Sequence, residues 1–261
     1  MSTCQRYPFV KGHGTENDFV VVPGDVELTP DRVRALADRR AGIGGDGVIG
    51  AAVDADGRWF MDYWNSDGSL SEMCGNGVRV FARYLAEQHD ATFPLEIATR
   101  DGIKTVTRDG ELFTVDMGEP TILADTKVAV GDRAWPARNI DLGNPHAVAF
   151  VDDLADAGPL LDEPSYDPSV YPQGVNVEFV VRRAPHEVAM RVHERGSGET
   201  RSCGTGACAV MVASALADGE GPGTSYQVDV PGGTLQIAWT PDNRILLTGP
   251  AVLVAEGTTD L

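Results

Sequence analysis

The chain has 261 residues, a formal net charge of −18 and 42% hydrophobic residues, which is ordinary for a soluble globular protein. The acidic balance and the lack of a basic cluster argue against nucleic acid or an anionic membrane surface as a partner. No apolar run approaches the roughly 18 residues of a membrane-spanning helix. Residues 1–11 lack the apolar core of a signal peptide, so we expect a cytoplasmic protein.

The first half of the chain reads as strands, turns and two helices. In order, we predict strands at 9–10 and 19–22 around a Gly-rich loop at 12–18, a helix opened by Thr29 and Pro30, a strand at 59–64, a helix after Cys74, and an antiparallel meander at 95–117.

The second half repeats this order. We predict a loop carrying Asn144-Pro145-His146 before a strand at 147–151, strands at 175–181 and 188–192, a turn at 193–198, a helix after Cys203, and a meander at 226–247. Asn65 and Glu194 each lie nine residues before their cysteine. This spacing indicates an internal duplication into two α+β halves, each with one central helix, joined near residues 118–125.

Two short stretches stand out: Cys74-Gly75-Asn76-Gly77 and Cys203-Gly204-Thr205-Gly206. Each precedes a run of small and apolar residues that suits a buried helix, so each cysteine should begin a helix. The free N–H groups and positive field of a helix N-terminus bind carboxylates and favour a thiolate, so we expect lowered thiol pKa values.

Two thiols on opposite sides of a pocket suit two-base chemistry: one removes a proton from an acidified C–H, and the other returns a proton on the opposite face. His146 and Glu194 are candidates for tuning the thiol pKa values, and Arg195 for pairing with a distal carboxylate. No lysine stands in a clear cofactor context, so pyridoxal phosphate is not implied. Cys203 and Cys208 have no histidine nearby in sequence, so no metal site is expected.

Seven blocks, spread over nearly the whole chain and in the same order, make it resemble the diaminopimelate epimerase family. They are Asn17-Asp18-Phe19, Asn65-Ser66-Asp67-Gly68, Met73-Cys74-Gly75-Asn76-Gly77-Val78-Arg79, Gly143-Asn144-Pro145-His146, Gly174-Val175-Asn176-Val177-Glu178-Phe179, Glu194-Arg195-Gly196 and Ser202-Cys203-Gly204-Thr205-Gly206.

The resemblance implies a cofactor-independent isomerase that interconverts L,L- and meso-diaminopimelate in lysine and peptidoglycan biosynthesis, with Cys74 and Cys203 as thiolate base and thiol acid. It further implies that His146 and Glu194 shape the thiol pKa values. The implied substrate-binding residues are Asn17, Asn65, Gly75, Asn76, Asn144, Asn176, Glu194, Arg195, Gly204 and Thr205.

The resemblance also implies the architecture: an α/β (α+β) fold of two pseudo-symmetric domains, each a mainly antiparallel, barrel-like sheet around a central helix, with the active site in the cleft between them. The domains would be residues 1–118 and 119–250, with a tail at about 251–261 returning to the first. Relatives suggest a homodimer.

Two positions depart from the family pattern. The loop before Asn17 is about one residue longer than the usual Gly-X-Gly-Asn, and Gly47 stands where many relatives carry a substrate-contacting glutamine. The other cysteines are expected to have no catalytic role: Cys208 as a buried packing residue, and Cys4 as an exposed or edge thiol.

Other functions compete with the epimerase. A proline or hydroxyproline racemase would usually carry His where Asn76 stands, and an isomerase of the phenazine-biosynthesis type would replace the cysteines with an acidic residue. A redox sensor would use a reversible Cys74–Cys203 disulfide, whereas an amino-acid-binding protein would need the pocket but neither thiol.

Overall fold

The computed structural model describes residues 6–261, so the prediction for Cys4 lies outside the described residues. The chain divides into two compact units. The first comprises the chain up to Val115 together with Gly249–Leu261, and the second comprises Asp116–Thr248. Within residues 6–261, no helix combines the length and the apolar character needed to cross a membrane.

Residues 6–118 contain seven strands and two helices, in the order β1 (Tyr7–Gly14), β2 (Asn17–Pro23), α1 (Pro30–Ala37), β3 (Gly47–Val53), β4 (Trp59–Asn65), α2 (Gly75–Gln88), β5 (Leu95–Thr99), β6 (Gly102–Asp109) and β7 (Leu112–Gly118).

The remaining elements are β8 (Thr121–Ile122), β9 (Thr126–Val130), β10 (Arg133–Asp141), β11 (Pro145–Phe150), a 3₁₀ turn (Leu154–Ala157), β12 (Ser165–Tyr166), β13 (Asn176–Ala184), β14 (Glu187–Glu194), β15 (Gly198–Thr200), α3 (Gly204–Ala217), β16 (Thr224–Val230), β17 (Gly233–Trp239), β18 (Ile245–Pro250) and β19 (Val252–Thr259).

The two units share one pairing order. In the first, β1–β2, β3–β4, β5–β6 and β6–β7 pair antiparallel, while β2–β3 and β4–β5 pair parallel. In the second, β10–β11, β13–β14, β16–β17 and β17–β18 pair antiparallel, while β11–β13 and β14–β16 pair parallel. The long helix follows the fourth strand of each series. The predicted α+β duplication is therefore confirmed.

The central helix of each unit is buried among that unit's strands. α2 contacts β1, β2, β3, β4, β5 and β19, and α3 contacts β10, β11, β13, β14, β16 and β17. Every α3 residue from Gly204 to Ala215 is buried, as expected of a helix that is apolar on all sides. Cys208 is fully buried within it, as predicted.

The short helix α1 begins as its sequence predicts. Thr29 is the N-cap and accepts a 3.3 Å hydrogen bond from the Arg32 N–H, and Pro30 occupies the first helical position. Val33 and Leu36 on α1 are fully buried and pack against strand residues such as Val20.

Two segments differ from the predictions. The expected loop at 12–18 is a hairpin whose turn is only Thr15 and Glu16, with φ values of 50° and 62°. A two-residue turn with positive φ at both positions matches the twist of the flanking strands, so they extend to the turn. His146 was expected in a loop but lies in β11, where it pairs with Ile140 and Asn176.

Candidate functional site

Cys74 is the N-cap of α2. Its Sγ accepts a 3.4 Å hydrogen bond from the Gly77 N–H and lies 3.7 Å from Asn17 Oδ1. The extended backbone at Cys74 turns its side chain back over the first helical turn. As the motif predicts, the sulfur therefore lies beside the first N–H groups of a helix.

Asn17 is held in one orientation by its neighbours. Its Nδ2 donates to Asp46 Oδ2 at 2.8 Å, while its Oδ1 accepts from Asn76 Nδ2 at 3.2 Å. Asp46 is itself bound by Arg39, at 2.6 Å, and by the Asp18 backbone N–H, at 3.2 Å. The structure thus brings three predicted site residues together, with Asn17 Oδ1 directed at Asn76 and Cys74.

Asn65 and Gly47 lie opposite each other in the β3–β4 ladder. The Asn65 side chain donates to Ser69 Oγ at 3.0 Å. A Cβ at Gly47 would lie 2.5 Å from the Tyr63 ring and 2.6 Å from the Trp64 carbonyl oxygen. Gly47 therefore has no room for a side chain in this structure.

Cys203 occupies the same place on α3 that Cys74 occupies on α2. It is the N-cap, and its Sγ accepts a 3.3 Å hydrogen bond from the Gly206 N–H. The Thr205 hydroxyl lies 3.6 Å from the sulfur. The side chain of Cys203 is buried.

A continuous line of hydrogen bonds leads from Thr205 into the core of the second unit. Asn144 Nδ2 donates to Thr205 Oγ1 at 3.2 Å, and Asn144 Oδ1 lies 3.0 Å from His146 Nε2. His146 Nδ1 lies 2.7 Å from Glu178 Oε1, and both of these side chains are fully buried. Predicted residues on β11 and α3 are thus linked to each other and to one residue outside the predicted set.

Asn176 organises the remaining predicted residues of this unit. Its Oδ1 accepts from the Arg195 backbone N–H at 3.0 Å, and its Nδ2 donates to the Pro145 carbonyl at 3.1 Å. The Arg195 guanidinium donates to the Gln173 carbonyl at 3.3 Å. Glu194 is the last residue of β14 and accepts a hydrogen bond from the Thr200 hydroxyl.

The expectation of a lowered thiol pKa is wrong for Cys203. Burial raises the pKa of this thiol well above its ordinary value, and the neighbouring Glu194 and Glu178 carboxyl groups raise it further when they are ionised. The hydrogen bonds from Thr205 and Gly206 lower it and are outweighed. A helix N-terminus alone therefore does not make a thiolate where solvent is excluded.

Glu178 is one of two residues of these hydrogen-bond networks that sequence reasoning missed. It appears in the sequence only as one letter of a strand motif between Val177 and Phe179, both buried. A carboxylate between two apolar strand residues is itself a signal, because acidic side chains are rarely fully buried without a partner. Asp46 was missed too. It lies between two glycines, and aspartate is common in Gly-rich turns for reasons of turn geometry alone.

A large groove in the first unit lies apart from the predicted residues. Its volume is about 850 Å³, and its lining includes Phe9, Trp59, Tyr84, His89 and Glu256. None of the predicted site residues lines it. Among residues 6–261, no cluster of three or more His, Cys, Asp and Glu side chains could hold a metal ion.

The fold is shared with solved structures of a hydroxyproline epimerase and of PhzF-family phenazine biosynthesis proteins. A hydroxyproline epimerase from Agrobacterium vitis superposes with a TM-score of 0.71 at 15% identity, covering 99% of this chain and 94% of that one. A PhzF-family phenazine biosynthesis protein from Bacillus anthracis gives the same TM-score and identity, covering 98% and 99%. At such identities the likeness defines the class of fold.

Sequence similarity identifies the family within this class. The diaminopimelate epimerase model matches residues 9–123 and 138–254, one match in each half. A diaminopimelate epimerase of Streptomyces coelicolor is 57% identical, covering all of this chain and 97% of the relative. One of Corynebacterium aurimucosum is 42% identical, covering 97% and 99%. The chain belongs to the diaminopimelate epimerase family.

Proposed function

We propose that this protein interconverts L,L- and meso-diaminopimelate without a cofactor, using Cys74 and Cys203 as a two-base pair. The observation that carries the proposal is the equivalent placement of the cysteines. Each is the N-cap of the central helix of its repeat. Each sulfur accepts a hydrogen bond from the backbone N–H three residues later, that of Gly77 or Gly206. Family membership directs this chemistry to diaminopimelate.

In the proposed reaction, the thiolate of one cysteine removes the α-proton of the substrate, and the thiol of the other protonates the opposite face of the carbanion. The reverse reaction exchanges the two roles. The backbone N–H groups of Gly75, Asn76, Gly204 and Thr205 hold the reacting carboxylate, because the first N–H groups of a helix have no partner within it. Their fixed dipoles stabilise the charge that develops on the carboxylate.

The other residues of the proposed site hold the polar ends of the substrate and tune the thiols. Asn17, Asn65, Asn144, Asn176, Glu194 and Arg195 are proposed to contact substrate. His146 and Glu194 are proposed to shape the thiol pKa values. The proposed domains are residues 1–118 and 119–250, with one cysteine of the pair in each.

We also propose a cytoplasmic homodimer, on the strength of the resemblance to the family. Light scattering after size-exclusion chromatography measures the mass directly. A mass of twice the 27.8 kDa chain supports the dimer, and a mass of one chain would refute it.

The decisive test follows the α-proton. The reduced protein is incubated with L,L-diaminopimelate in D₂O, and NMR records deuterium entry at the α-carbon together with formation of the meso form. We expect exchange with inversion, reduced about 10²- to 10⁴-fold in Cys74→Ala and in Cys203→Ala. Cys208→Ala is the matched control, because this buried cysteine of α3 should leave the rate unchanged.

Two outcomes would contradict the proposal. Exchange with proline or hydroxyproline but not with diaminopimelate would retain the mechanism and change the substrate. Undiminished exchange in either single variant would exclude the two-thiol mechanism. Mass spectrometry with and without reductant, run on the same samples, would show whether a Cys74–Cys203 disulfide inactivates the enzyme.

A further inference from the structure

The orientation of the Asn144 amide gives a direction to the hydrogen-bond line of the second unit. Its Oδ1 can only accept, so the facing His146 Nε2 must carry a proton. Its Nδ2 donates to the Thr205 oxygen, and the Thr205 hydroxyl keeps its own proton, which can point at Cys203 Sγ, 3.6 Å away. In this arrangement the line ends in a hydroxyl donor directed at the sulfur.

The other end of the line must be consistent with this direction. With Nε2 protonated, the 2.7 Å contact between His146 Nδ1 and Glu178 Oε1 needs a second proton. That proton can belong to a carboxylic acid or to an imidazolium. Without this second proton, Glu178 would be a carboxylate and would accept a hydrogen bond from a proton on His146 Nδ1. His146 Nε2 would then carry no proton and could only accept, so the Asn144 amide would turn its Nδ2 toward the ring.

The surroundings of Glu178 favour retention of this proton. Burial raises the pKa of Glu178, although the charge of His146 and their hydrogen bond oppose the rise. Its Oε2 is buried and has no hydrogen-bond partner within residues 6–261. A buried oxygen without a hydrogen-bond partner destabilises the fold less in a neutral carboxylic acid than in a carboxylate. The other titratable groups acting on Glu178 or Cys203 are Tyr171 and Glu194.

Packing fixes the carboxyl group in place. A Cβ at Gly206 would lie 2.7 Å from Glu178 Oε1 and 3.1 Å from Cys203 Sγ. The carboxyl oxygen and the sulfur therefore approach the same residue of the first turn of α3. Only glycine leaves room for both.

We propose that Glu178 is a positioning residue, which holds His146 with its proton on Nε2 and so directs the Thr205 hydroxyl at Cys203. The consequence for catalysis rests on the proposed function, since it assumes that Cys203 is one of the two bases. The line orients groups and does not carry protons, because the Asn144 amide in its middle cannot pass a proton from nitrogen to oxygen. In the proposed reaction, the Thr205 donor stabilises Cys203 when it is a thiolate.

The first experiment reads the His146 ring directly. ¹H–¹⁵N correlation spectra of the ¹⁵N-labelled protein, assigned with His146→Gln, distinguish the two neutral tautomers and the imidazolium. We expect Nε2 to be protonated in the wild type and in Glu178→Gln, because the glutamine amide can donate to Nδ1. In Glu178→Ala we expect the second tautomer to appear, since water in the vacated space can donate or accept.

The second experiment asks whether Glu178 acts through Thr205. Iodoacetamide labelling of Cys203, followed at its peptide by mass spectrometry, reports its thiolate. We expect Glu178→Ala and Thr205→Val each to slow labelling by about tenfold or more, as expected for one lost hydrogen bond to a charged group. The double variant should be no slower than Thr205→Val, and Glu178→Gln should restore the wild-type rate.

Two results would overturn the inference: a wild-type His146 protonated on Nδ1 alone, or effects of Glu178→Ala and Thr205→Val that multiply in the double variant. The wild-type spectrum still decides if the alanine variant does not fold. Neither measurement needs turnover, so failure of this inference is distinguishable from failure of the proposed function.

Discussion

At the scale of single residues, Cys203 shows how a buried thiol responds to opposing influences. The helix N-terminus and Thr205 stabilise a thiolate, whereas exclusion of water and two nearby carboxyl groups favour the thiol. Because solvent is nearly absent, the second set prevails. The folded protein should therefore hold Cys203 as a thiol until substrate binding changes its surroundings.

This raised pKa predicts a loss of stability at alkaline pH. A pKa that is higher in the folded state contributes stability below the unfolded value, near 9.0, and that contribution is lost as the pH rises through the folded value. Between pH 8 and 10, the free energy of unfolding should fall more steeply in the wild type than in Cys203→Ala. Urea titrations at each pH measure it, and equal slopes would contradict the prediction.

The two cysteines could be identified from the sequence because each is followed directly by the Gly-X-Gly motif that places it at a helix N-terminus. It did not identify Glu178, because the role of Glu178 depends on a contact with His146, 32 positions away along the chain. No local pattern specifies that pairing. The raised pKa of Cys203 was missed for the same reason, since burial is a property of the folded chain.

At the scale of elements, a network of charged side chains fixes the segment that leads into β3. Asp18 Oδ2 accepts from Lys11 at 2.5 Å and from Arg39 at 2.9 Å, and its Oδ1 accepts from Arg39 at 2.7 Å. Arg39 also binds Asp46, which orients Asn17. The connection between β2 and β3, which carries Arg39 and Asp46, therefore fixes the orientation of the Asn17 amide.

Replacing Asp18 tests this network. Partial burial would raise the pKa of Asp18, but hydrogen bonds from Arg39 and Lys11 and their charges lower it to about 2, from 3.8. A lowered pKa contributes stability above the unfolded value and loses it as the pH falls through the folded value. Asp18→Asn should cost roughly 1–2 kcal/mol at pH 7, allowing for solvent around Arg39.

Denaturant titrations from pH 7 to pH 2 measure this cost, and the difference from the wild type should shrink below pH 4. Asp31→Asn is the matched control, because Asp31 pairs with Arg34 on the surface and its side chain is 95% exposed. We expect that change to cost less than about 0.5 kcal/mol. Equal costs for the two variants would show that the network adds no stability.

Element boundaries were predictable where capping residues mark them, as at Thr29 and Pro30. They were not predictable at residues 12–18, where Gly12 and Gly14 suggested a loop. There the strands continue because their backbones pair to the last residue, Gly14 with Asn17. For His146, a preceding proline suggested a loop, yet a proline is tolerated as the first residue of a strand.

At the scale of the whole molecule, the duplication sets the architecture. Spacing predicted it correctly because the two helix starts and their flanking motifs lie at matching intervals. The strand pairings could not be predicted from the sequence, because no local pattern specifies that β2 pairs with β3 in parallel. The pairing of β19 with β1 likewise joins opposite ends of the chain.

The position of β19 predicts an uneven response to truncation. β19 pairs with β1 from Tyr7 to His13 and contacts α2. A chain ending at Ala251 would leave β1 as an open edge strand. Each lost ladder hydrogen bond is worth about 1 kcal/mol, so amide exchange in β1, β2 and α2 should accelerate more than tenfold, while β13 and β14 change little. Hydrogen-exchange mass spectrometry measures both regions, and equal acceleration would contradict the prediction.

The pairing of β1 with β19 has a consequence for how the repeat is divided. Tyr7 lies opposite Thr259, and the Tyr7 hydroxyl donates to the Leu261 carbonyl at 2.5 Å. In the second unit, β8 pairs with β10 much as β19 pairs with β1. In a circular permutant that begins at Gly249, with the original termini joined by a short linker, each unit would be encoded by one continuous segment of the chain. Two such stretches could then be expressed as separate polypeptides, so that each repeat's capacity to fold alone becomes a measurable property.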